Sequence, residues 1–420
     1  MTGAPFAVAG ERTDVGQRSE TVRRANLSAI VRELHLHGPL SRSQLVARTG
    51  LTRSAIRGLV GELAVAGMVS EQGRSRTGTP GRPSPMVRPT AHAAVVLALE
   101  IEVESIGAAL VGLGGTVFEL VRVDRARGQT SVDQISADLV RVAASLRQRH
   151  PELDPIIGIG VAIVGVVRRR DGLVTMAPNL GWLDVPLGDR LAQAFGAGAS
   201  VRIAVSNEAD LGALAEARRG AAVGFDDVVF LSGEVGVGGG LIVEGRPLSG
   251  SAGFGGEVGH MPVNPDGAPC RCGSYGCWET EVGDEALLVR AGHPRDGGRT
   301  GVEAVLREAA TGSPAALGAL DHVGRWLGVG IATLVNVLNP RLVVLGGRFA
   351  RMHPYVMDAV EAELARRALP ASRSLVRVVP ATMGADASLI GAGELAFEPL
   401  LADPAAWLEP RSDAAERTSA

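Results

Sequence analysis

All three cysteines of this 420-residue chain lie in one stretch, CRCGSYGC, at positions 270, 272 and 277. An odd number of thiols cannot all pair, and a Cys-x-Cys pair is too tight to bridge without strain. A metal needs thiolates that converge on one point, as a rule within a tetrahedron of four nitrogen or sulfur ligands. The stretch is one ligand short, and His260 is the candidate to supply it. Three buried neutral thiols are the alternative that the spacing leaves open. The N-terminal residues MTGAPFAVAGERTDVGQRSE show no basic start followed by an apolar core, and no apolar run reaches the roughly 18–20 residues of a membrane span. A cytoplasmic, reducing location with no membrane partner is therefore the expectation, and there clustered thiols favour metal over disulfide.

These residues need elements to hold them. With 46% apolar and 21% charged residues the chain is a core-forming globular protein, long enough for two or three domains. Its net charge of −3 hides an asymmetry: residues 1–90 carry 13 Arg against 6 Asp and Glu, a net +7, which leaves −10 for the remainder. A basic N-terminal segment of this kind suits a polyanion.

The pattern of that segment says how it would bind. TVRRANLSAIVRELHLHG (21–38) places Val22, Leu27, Ile30, Val31 and Leu34 at helical spacing and stops at Gly38. SRSQLVARTG opens on Ser41, a good N-cap, and closes on Gly50; LTRSAIRGLVGELAVAGMV starts from Thr52 with Ile56, Leu59, Val60 and Leu63 on one face. Two short helices joined by a tight glycine-containing turn make a helix-turn-helix. The second helix is expected in the major groove of double-stranded operator DNA, with Arg53, Ser54 and Arg57 near base edges, and Ser41 and Thr52 complete the candidate DNA-binding set. The Gly-, Pro- and Arg-rich SEQGRSRTGTPGRPSPMVRP reads as wing and linker, with Arg82 placed to enter the minor groove. A helical interaction domain with solvated arginines is the competing reading.

From residue 91 the texture changes to strands. AAVVLALEI, IGAALVGL and TVFELVRV are apolar runs of strand length, followed by the helical VDQISADLVRVAASLRQRH and the strand IIGIGVAIVG. A similar order returns in DVVFLS, GGLIVEG, a long helical region around 314–338 and RLVVLGG. The fold class predicted is α/β: two related halves facing a cleft, where ligands bind in such architectures. The domain plan is a disordered segment at 1–20, a winged helix-turn-helix with linker at 21–90, a ligand-binding domain at 91–400 and a mobile tail at 401–420.

The stretch GVGGGLIVEGRPLSGSAGFGGEVGHMPVNPDGAPCRCGSYGCWE (236–279) resembles the central signature of the ROK family, named for repressors, open reading frames and kinases that act on sugars. The resemblance extends from residue 91 to about 400 through GIGVAIVG, APNLGWLDVPLG, NEADLGALAE and NPRLVVLGG, and with the helix-turn-helix in front the whole is similar to a ROK transcriptional repressor. It implies a two-lobed, duplicated sugar-kinase-like domain of the actin/hexokinase type. It also implies one structural zinc on His260, Cys270, Cys272 and Cys277, with Gly273 and Gly276 letting the backbone turn tightly enough for the thiolates to converge. By the same resemblance a sugar is held by Asn179 in APNLGW, Glu257 and His260 in GEVGH and Glu279 in CWE, and Asn207 and Glu208 in NEADLG complete the candidate sugar-binding set. Carboxylates suit a polyol because each can accept several hydroxyl hydrogen bonds.

The chain departs from the kinase members at three places. Their Asp-x-Gly-x-Thr is replaced by Glu100-Ile101-Glu102-Val103-Glu104, three carboxylates expected to repel a nucleotide's phosphates. Their Gly-Thr-Gly is replaced by Glu234-Val235-Gly236, and their catalytic Asp after Asn is replaced by Glu208, one methylene longer. The reading is a sugar-responsive repressor with no catalytic residue, a homodimer or dimer of dimers on paired half-sites. An ATP-dependent sugar kinase with an added DNA-binding domain is the competing class, and a phosphosugar or sugar-nucleotide sensor the third.

Overall fold

The computed structural model describes residues 19–74, 84–128, 131–196 and 201–408. They divide into two compact units, one of the residues up to Thr90 together with those from Glu398 onward, the other Ala91–Phe397. Among the described residues no helix is long and apolar enough to cross a membrane.

In the first unit α1 (Ser19–His37), β1 (Leu40–Ser41), α2 (Arg42–Thr49), α3 (Arg53–Val65), β2 (Val69–Arg74) and β3 (Pro85–Pro89) follow in order. The stop and start signals act as read. Gly38 and Gly50 end α1 and α2 in the left-handed region at φ 69° and 71°, Ser41 caps α2 in a capping box with Gln44, and Thr52 caps α3 by accepting from the Ala55 amide. Leu27, Ile30, Leu45, Ile56, Val60 and Leu63 close the core at 0% exposure. The strands form an antiparallel sheet in the order β1-β3-β2, so the unit is a winged helix whose wing is the β2–β3 hairpin. Residues 75–83, and with them the expected minor-groove role of Arg82, lie outside the described residues.

Both chain ends correct the domain plan. Helix α1 already starts at Ser19, and residues 1–18 lie outside the described ones. The supposed tail is structured as far as residue 408. Leu400, Leu401 and Ala405 are buried, Ser28 Oγ donates to the Leu401 carbonyl at 2.6 Å, and Arg24 Nε donates to Asp403 at 3.0 Å. This short apolar cluster was hidden in the sequence by the Pro- and charge-rich run around it.

The second unit has two lobes. The first holds β4 (Val95–Ile101), β5 (Ser105–Gly112), β6 (Thr116–Asp124), α4 (Val132–Arg149), β7 (Ile156–Ile163), β8 (Val166–Arg168), β9 (Leu173–Ala177), β10 (Trp182–Pro186), α5 (Leu187–Ala194) and β11 (Arg202–Asn207). The second holds α6 (Glu208–Arg219), β12 (Val228–Gly233), β13 (Val237–Val243), β14 (Arg246–Pro247), α7 (Trp278–Val282), α8 (Asp284–Arg290), α9 (Gly298–Ala310), α10 (Pro314–Leu338), β15 (Leu342–Gly347), α11 (Arg348–Arg367), α12 (Pro370–Arg373) and β16 (Arg377–Pro380). Helix α13 (Ala387–Ala402) returns to the first lobe, where a side chain at Gly160 of β7 would meet the Ala392 carbonyl at 1.8 Å.

The two five-stranded sheets, β6-β5-β4-β7-β11 and β14-β13-β12-β15-β16, match strand for strand. Each begins as an antiparallel meander and continues with two parallel strands. The α/β duplication expected from the sequence is thus present. Central strands such as β4 are buried along their whole length, which explains why VVLALEI reads as a continuous apolar run instead of an alternating one.

Candidate sugar cleft, metal cluster and DNA face

A cavity of about 1050 Å³ opens between the lobes, lined by residues just beyond the carboxyl ends of β7, β11, β12 and β15. Ligands of α/β sheets bind at such edges. All six residues of the expected sugar set, Asn179, Asn207, Glu208, Glu257, His260 and Glu279, line it. They do so from different elements. Asn179 stands in the β9–β10 turn, fixed by the buried neighbours Ala177 and Leu180. Asn207 ends β11 and caps α6: its Oδ1 accepts from the Ala209 and Asp210 amides, and its Nδ2 donates to the Gly165 carbonyl at 2.9 Å. That leaves one amide hydrogen of Asn207 for a ligand.

The acids of the cleft are set apart by environment. Burial pushes the Glu208 carboxyl well above the usual carboxylate range, with Glu257 and Glu234 adding to the effect, and its Oε2 is enclosed without a hydrogen-bond partner among the described residues. Glu257 keeps contact with solvent in the open cleft, yet the surrounding walls raise its carboxyl too, against the pull of His260. Glu279 is held by its surroundings: Oε1 accepts from Cys270 Sγ at 2.9 Å and lies 3.6 Å from His260 Nδ1, and Oε2 rests against Gly236, where a side chain would come within 2.2 Å.

The ligand atoms of His260, Cys270, Cys272 and Cys277 all lie within 4.8 Å of one another, with Cys270 Sγ to His260 Nδ1 and Cys272 Sγ to Cys277 Sγ both 3.7 Å. A tetrahedral site of one nitrogen and three sulfurs has edges of roughly 3.5–3.8 Å, so these four residues fit a metal ion. Two glycines shape the loop that carries the cysteines. Gly273 and Gly276 turn at φ 93° and 62°, and a side chain at Gly276 would collide with the Asn264 carbonyl at 1.6 Å. The loop is then pinned by Trp278, fully buried, whose Nε1 donates to the Trp326 carbonyl at 2.8 Å. Nothing in the sequence set Trp278 apart from an ordinary core residue.

The other end of the cleft corrects one expectation. Glu100 does not face the cavity: it is 0% exposed and is bound by Arg122 Nη2 at 2.6 Å and by Ser388 Oγ. Its burial at the end of β4 separates it from Glu102 and Glu104, which do line the cavity with Glu234. Nor do these acids stand bare. Arg348, at the start of α11, lies 3.5 Å from Glu234 and 3.6 Å from Glu104 and pairs with Asp284. Arg348 and Asp284 were missed because they stand far from the acids in sequence and follow no spacing rule.

On the first unit, Arg53, Ser54 and Arg57 are exposed on α3, and the two arginines make no hydrogen bond or ion pair among the described residues. Neighbouring arginines are occupied: Arg23 by Glu62, Arg42 by Glu71, Arg48 by Glu33. Arg88 on β3 is also exposed, makes no hydrogen bond or ion pair through its side chain among the described residues, and was not singled out in the sequence. Ser41 departs from expectation. It is 3% exposed and its hydroxyl is spent on the Gln44 amide, so it shapes α2 instead of reaching outward. Thr52 is exposed, and its hydroxyl is engaged with the Ala55 amide and Ser54.

The chain belongs to the ROK family, whose model matches residues 96–398. It is 26% identical over 381 residues to the xylose repressor of Bacillus subtilis, covering 90% of this chain and 97% of the repressor. A solved ROK family transcriptional regulator, described as a homologue of the E. coli MLC protein, superposes with a TM-score of 0.74 at 26% identity, over 91% of this chain and 97% of the other. A ROK family glucokinase from Streptomyces griseus, in complex with glucose and AMPPNP, superposes with a TM-score of 0.64 at 27% identity, over 72% of this chain and 99% of the kinase. The likeness to the repressor and the regulator thus spans more of this chain than the likeness to the kinase.

Proposed function

We propose that the protein is a sugar-responsive, DNA-binding transcriptional repressor whose effector is a free sugar. The observation that carries this reading is the state of the cleft: one end offers Asn179, Glu208, Glu257, His260 and Glu279 to hydroxyls, while at the other Arg348 is already matched by Glu104, Glu234 and Asp284. A nucleotide would have to bring its phosphates beside those carboxylates and win Arg348 from them. The protein is on this reading no kinase, and Glu208 serves recognition. The likeness to xylose repressors over nine-tenths of the chain supports an aldose effector, with xylose the first to try.

The winged helix reads double-stranded operator DNA through Arg53, Ser54 and Arg57, with Arg88 on the wing strand against the backbone and Thr52 at the helix start. His260, Cys270, Cys272 and Cys277 hold one structural zinc. Four protein ligands leave no open position, so the ion would supply cross-linking and no catalysis. That cross-link fixes the loop carrying His260 and Glu279 toward the sugar. The protein acts in the cytoplasm as a homodimer, or a dimer of dimers, on paired half-sites.

A thermal-shift panel of pentoses, hexoses and amino sugars, followed by gel shifts on a selected operator with and without the binding sugar, tests the proposal. A sugar is expected to raise the melting temperature and to lower operator affinity roughly 5- to 150-fold. ADP formation at about one per second or faster would overturn the repressor reading, as would a bound sugar that leaves operator affinity unchanged.

A further inference from the structure

Arg271 sits between two of the metal-binding cysteines, and its Nη1 donates to Asn179 Oδ1 at 2.8 Å. The two residues belong to opposite lobes: Asn179 to the β9–β10 turn of the first, Arg271 to the loop of the second that leads into α7. Both line the sugar end of the cavity. Each backbone is fixed independently. Around Arg271 the Cys270 amide bonds the Ser274 carbonyl at 2.8 Å and the Gly273 amide the Cys270 carbonyl at 3.0 Å; around Asn179 the Leu180 amide bonds the Ala177 carbonyl at 3.0 Å and the Gly181 amide the Pro178 carbonyl at 3.2 Å. The bond between them therefore joins two rigid loops across an open cleft. The Arg271 side chain is exposed, and this is its one hydrogen bond among the described residues.

An arginine can only donate, so the amide oxygen of Asn179 must face it and the amide hydrogens must turn elsewhere. A sugar hydroxyl that accepts from Asn179 Nδ2 can bind without disturbing this arrangement. One that donates to Oδ1 competes with a charged donor for the same oxygen. We propose that the Arg271–Asn179 hydrogen bond is a latch between the lobes, opened by sugars that present a donating hydroxyl to Asn179 and left shut by those that do not.

This deepens the repressor reading and rests on it for its link to DNA. A ligand can shift a conformational equilibrium only by binding one arrangement better than the other. The latch supplies that difference: it is a contact of the empty cleft that the bound sugar replaces. Arg271 then discriminates inducing from merely binding sugars, although it need not touch the sugar.

The test uses the full-length, zinc-loaded chain with Arg271→Ala and Arg271→Lys, with D-xylose and D-glucose as probes. Calorimetry should show whichever sugar the native protein takes binding on the order of tenfold tighter to Arg271→Ala, because a competing charged donor is gone. Hydrogen exchange at the Leu180 and Gly181 amides should quicken severalfold without sugar, and sugar-free operator binding should weaken. Arg271→Lys, which keeps the charge but loses the planar fork, should fall between. Weaker or unchanged sugar binding in Arg271→Ala, or unchanged exchange at both amides, overturns the latch. If the native chain binds neither sugar, the proposed effector class fails while the exchange measurement still decides the latch; if Arg271→Ala does not fold, Arg271→Lys carries the same two readouts.

Discussion

Glu104 reaches from the β4–β5 turn of the first lobe to the start of α9 in the second, where its Oε2 accepts from the backbone amide of Arg299 at 3.4 Å. Gly298 makes room for it: at φ 55° it carries no side chain, and one placed there would meet Glu104 Oε1 at 2.4 Å. Arg127 at 3.5 Å and Arg348 at 3.6 Å complete the seat. A carboxylate at a helix N-terminus is where an anion is favoured, so an internal anion occupies this end of the cleft. ATP with magnesium should leave the melting temperature of the native protein unchanged. Glu104→Ala should cost about 1 kcal/mol and lower the melting temperature by roughly 2–4 °C. A melting temperature raised by ATP in the native chain would contradict the occupied seat.

Metal analysis should find about one zinc per chain, as expected for a closed four-ligand site. Cys272→Ser should lose the ion, together with thermal stability and sugar affinity, since the loop that carries His260 and Glu279 is no longer cross-linked. Tyr275→Ala provides the control, because Tyr275 lies in the same loop at 65% exposure and contributes no ligand. Retention of metal by Cys272→Ser would remove Cys272 from the ligand set.

The buried Glu100 makes stability depend on pH in a direction opposite to that of a surface ion pair. Burial, reinforced by Glu102 and opposed by Arg122, pushes its carboxyl from the ordinary 4.5 up to about 7. A carboxyl that holds its proton more tightly when folded contributes stability fully below about pH 4.5 and loses it as the pH rises through 7. The ceiling on that loss is about 3 kcal/mol. Urea unfolding between pH 4.5 and 8 should show the fall in the native chain and a flatter profile in Glu100→Gln, which cannot ionise. An unchanged slope in the variant would place the titration elsewhere.

Arg57→Ala should cost about 1–3 kcal/mol of operator affinity if the side chain reads a base, with relaxed specificity at one position. Arg88→Ala should weaken binding evenly across sequences and reduce the salt dependence. Ser41→Ala should behave differently from both, lowering the stability of the winged helix by about 0.5–2 kcal/mol through the lost cap. Gel shifts on the selected operator and on single-base variants, paired with thermal melts, separate the three. A specificity change in Ser41→Ala would return it to the DNA-reading set.

Local signals carried most of the fold because the chain obeys them locally. Gly38, Ser41, Gly50 and Thr52 end or start helices where their backbone preferences place them, and the long helix runs over the residues 314–338 that its apolar spacing marks. That Asn179, Asn207, Glu208, Glu257, His260 and Glu279 share one cavity, and that His260 and the three cysteines cluster, was legible through short local motifs. What stayed hidden depends on distance in sequence. Arg271 finds Asn179 92 residues away, and Arg348 meets Glu104 across most of the second unit. Glu100 and Glu104 look alike in EIEVE, yet the end of β4 sends one into the core and the other into the cleft. Ser41 shows the reverse error, since a good cap spends the hydroxyl that an outward contact would need.

The winged helix is assembled from segments on either side of the second unit in sequence. Ser28 and Arg24 of α1 hold Leu401 and Asp403, 373 and 379 residues further along the chain. During synthesis the face of α1 therefore stays uncovered until the ribosome has passed the whole of Ala91–Phe397. A truncated product or a stalled nascent chain carries Arg53 and Arg57 but lacks the segment that completes their support.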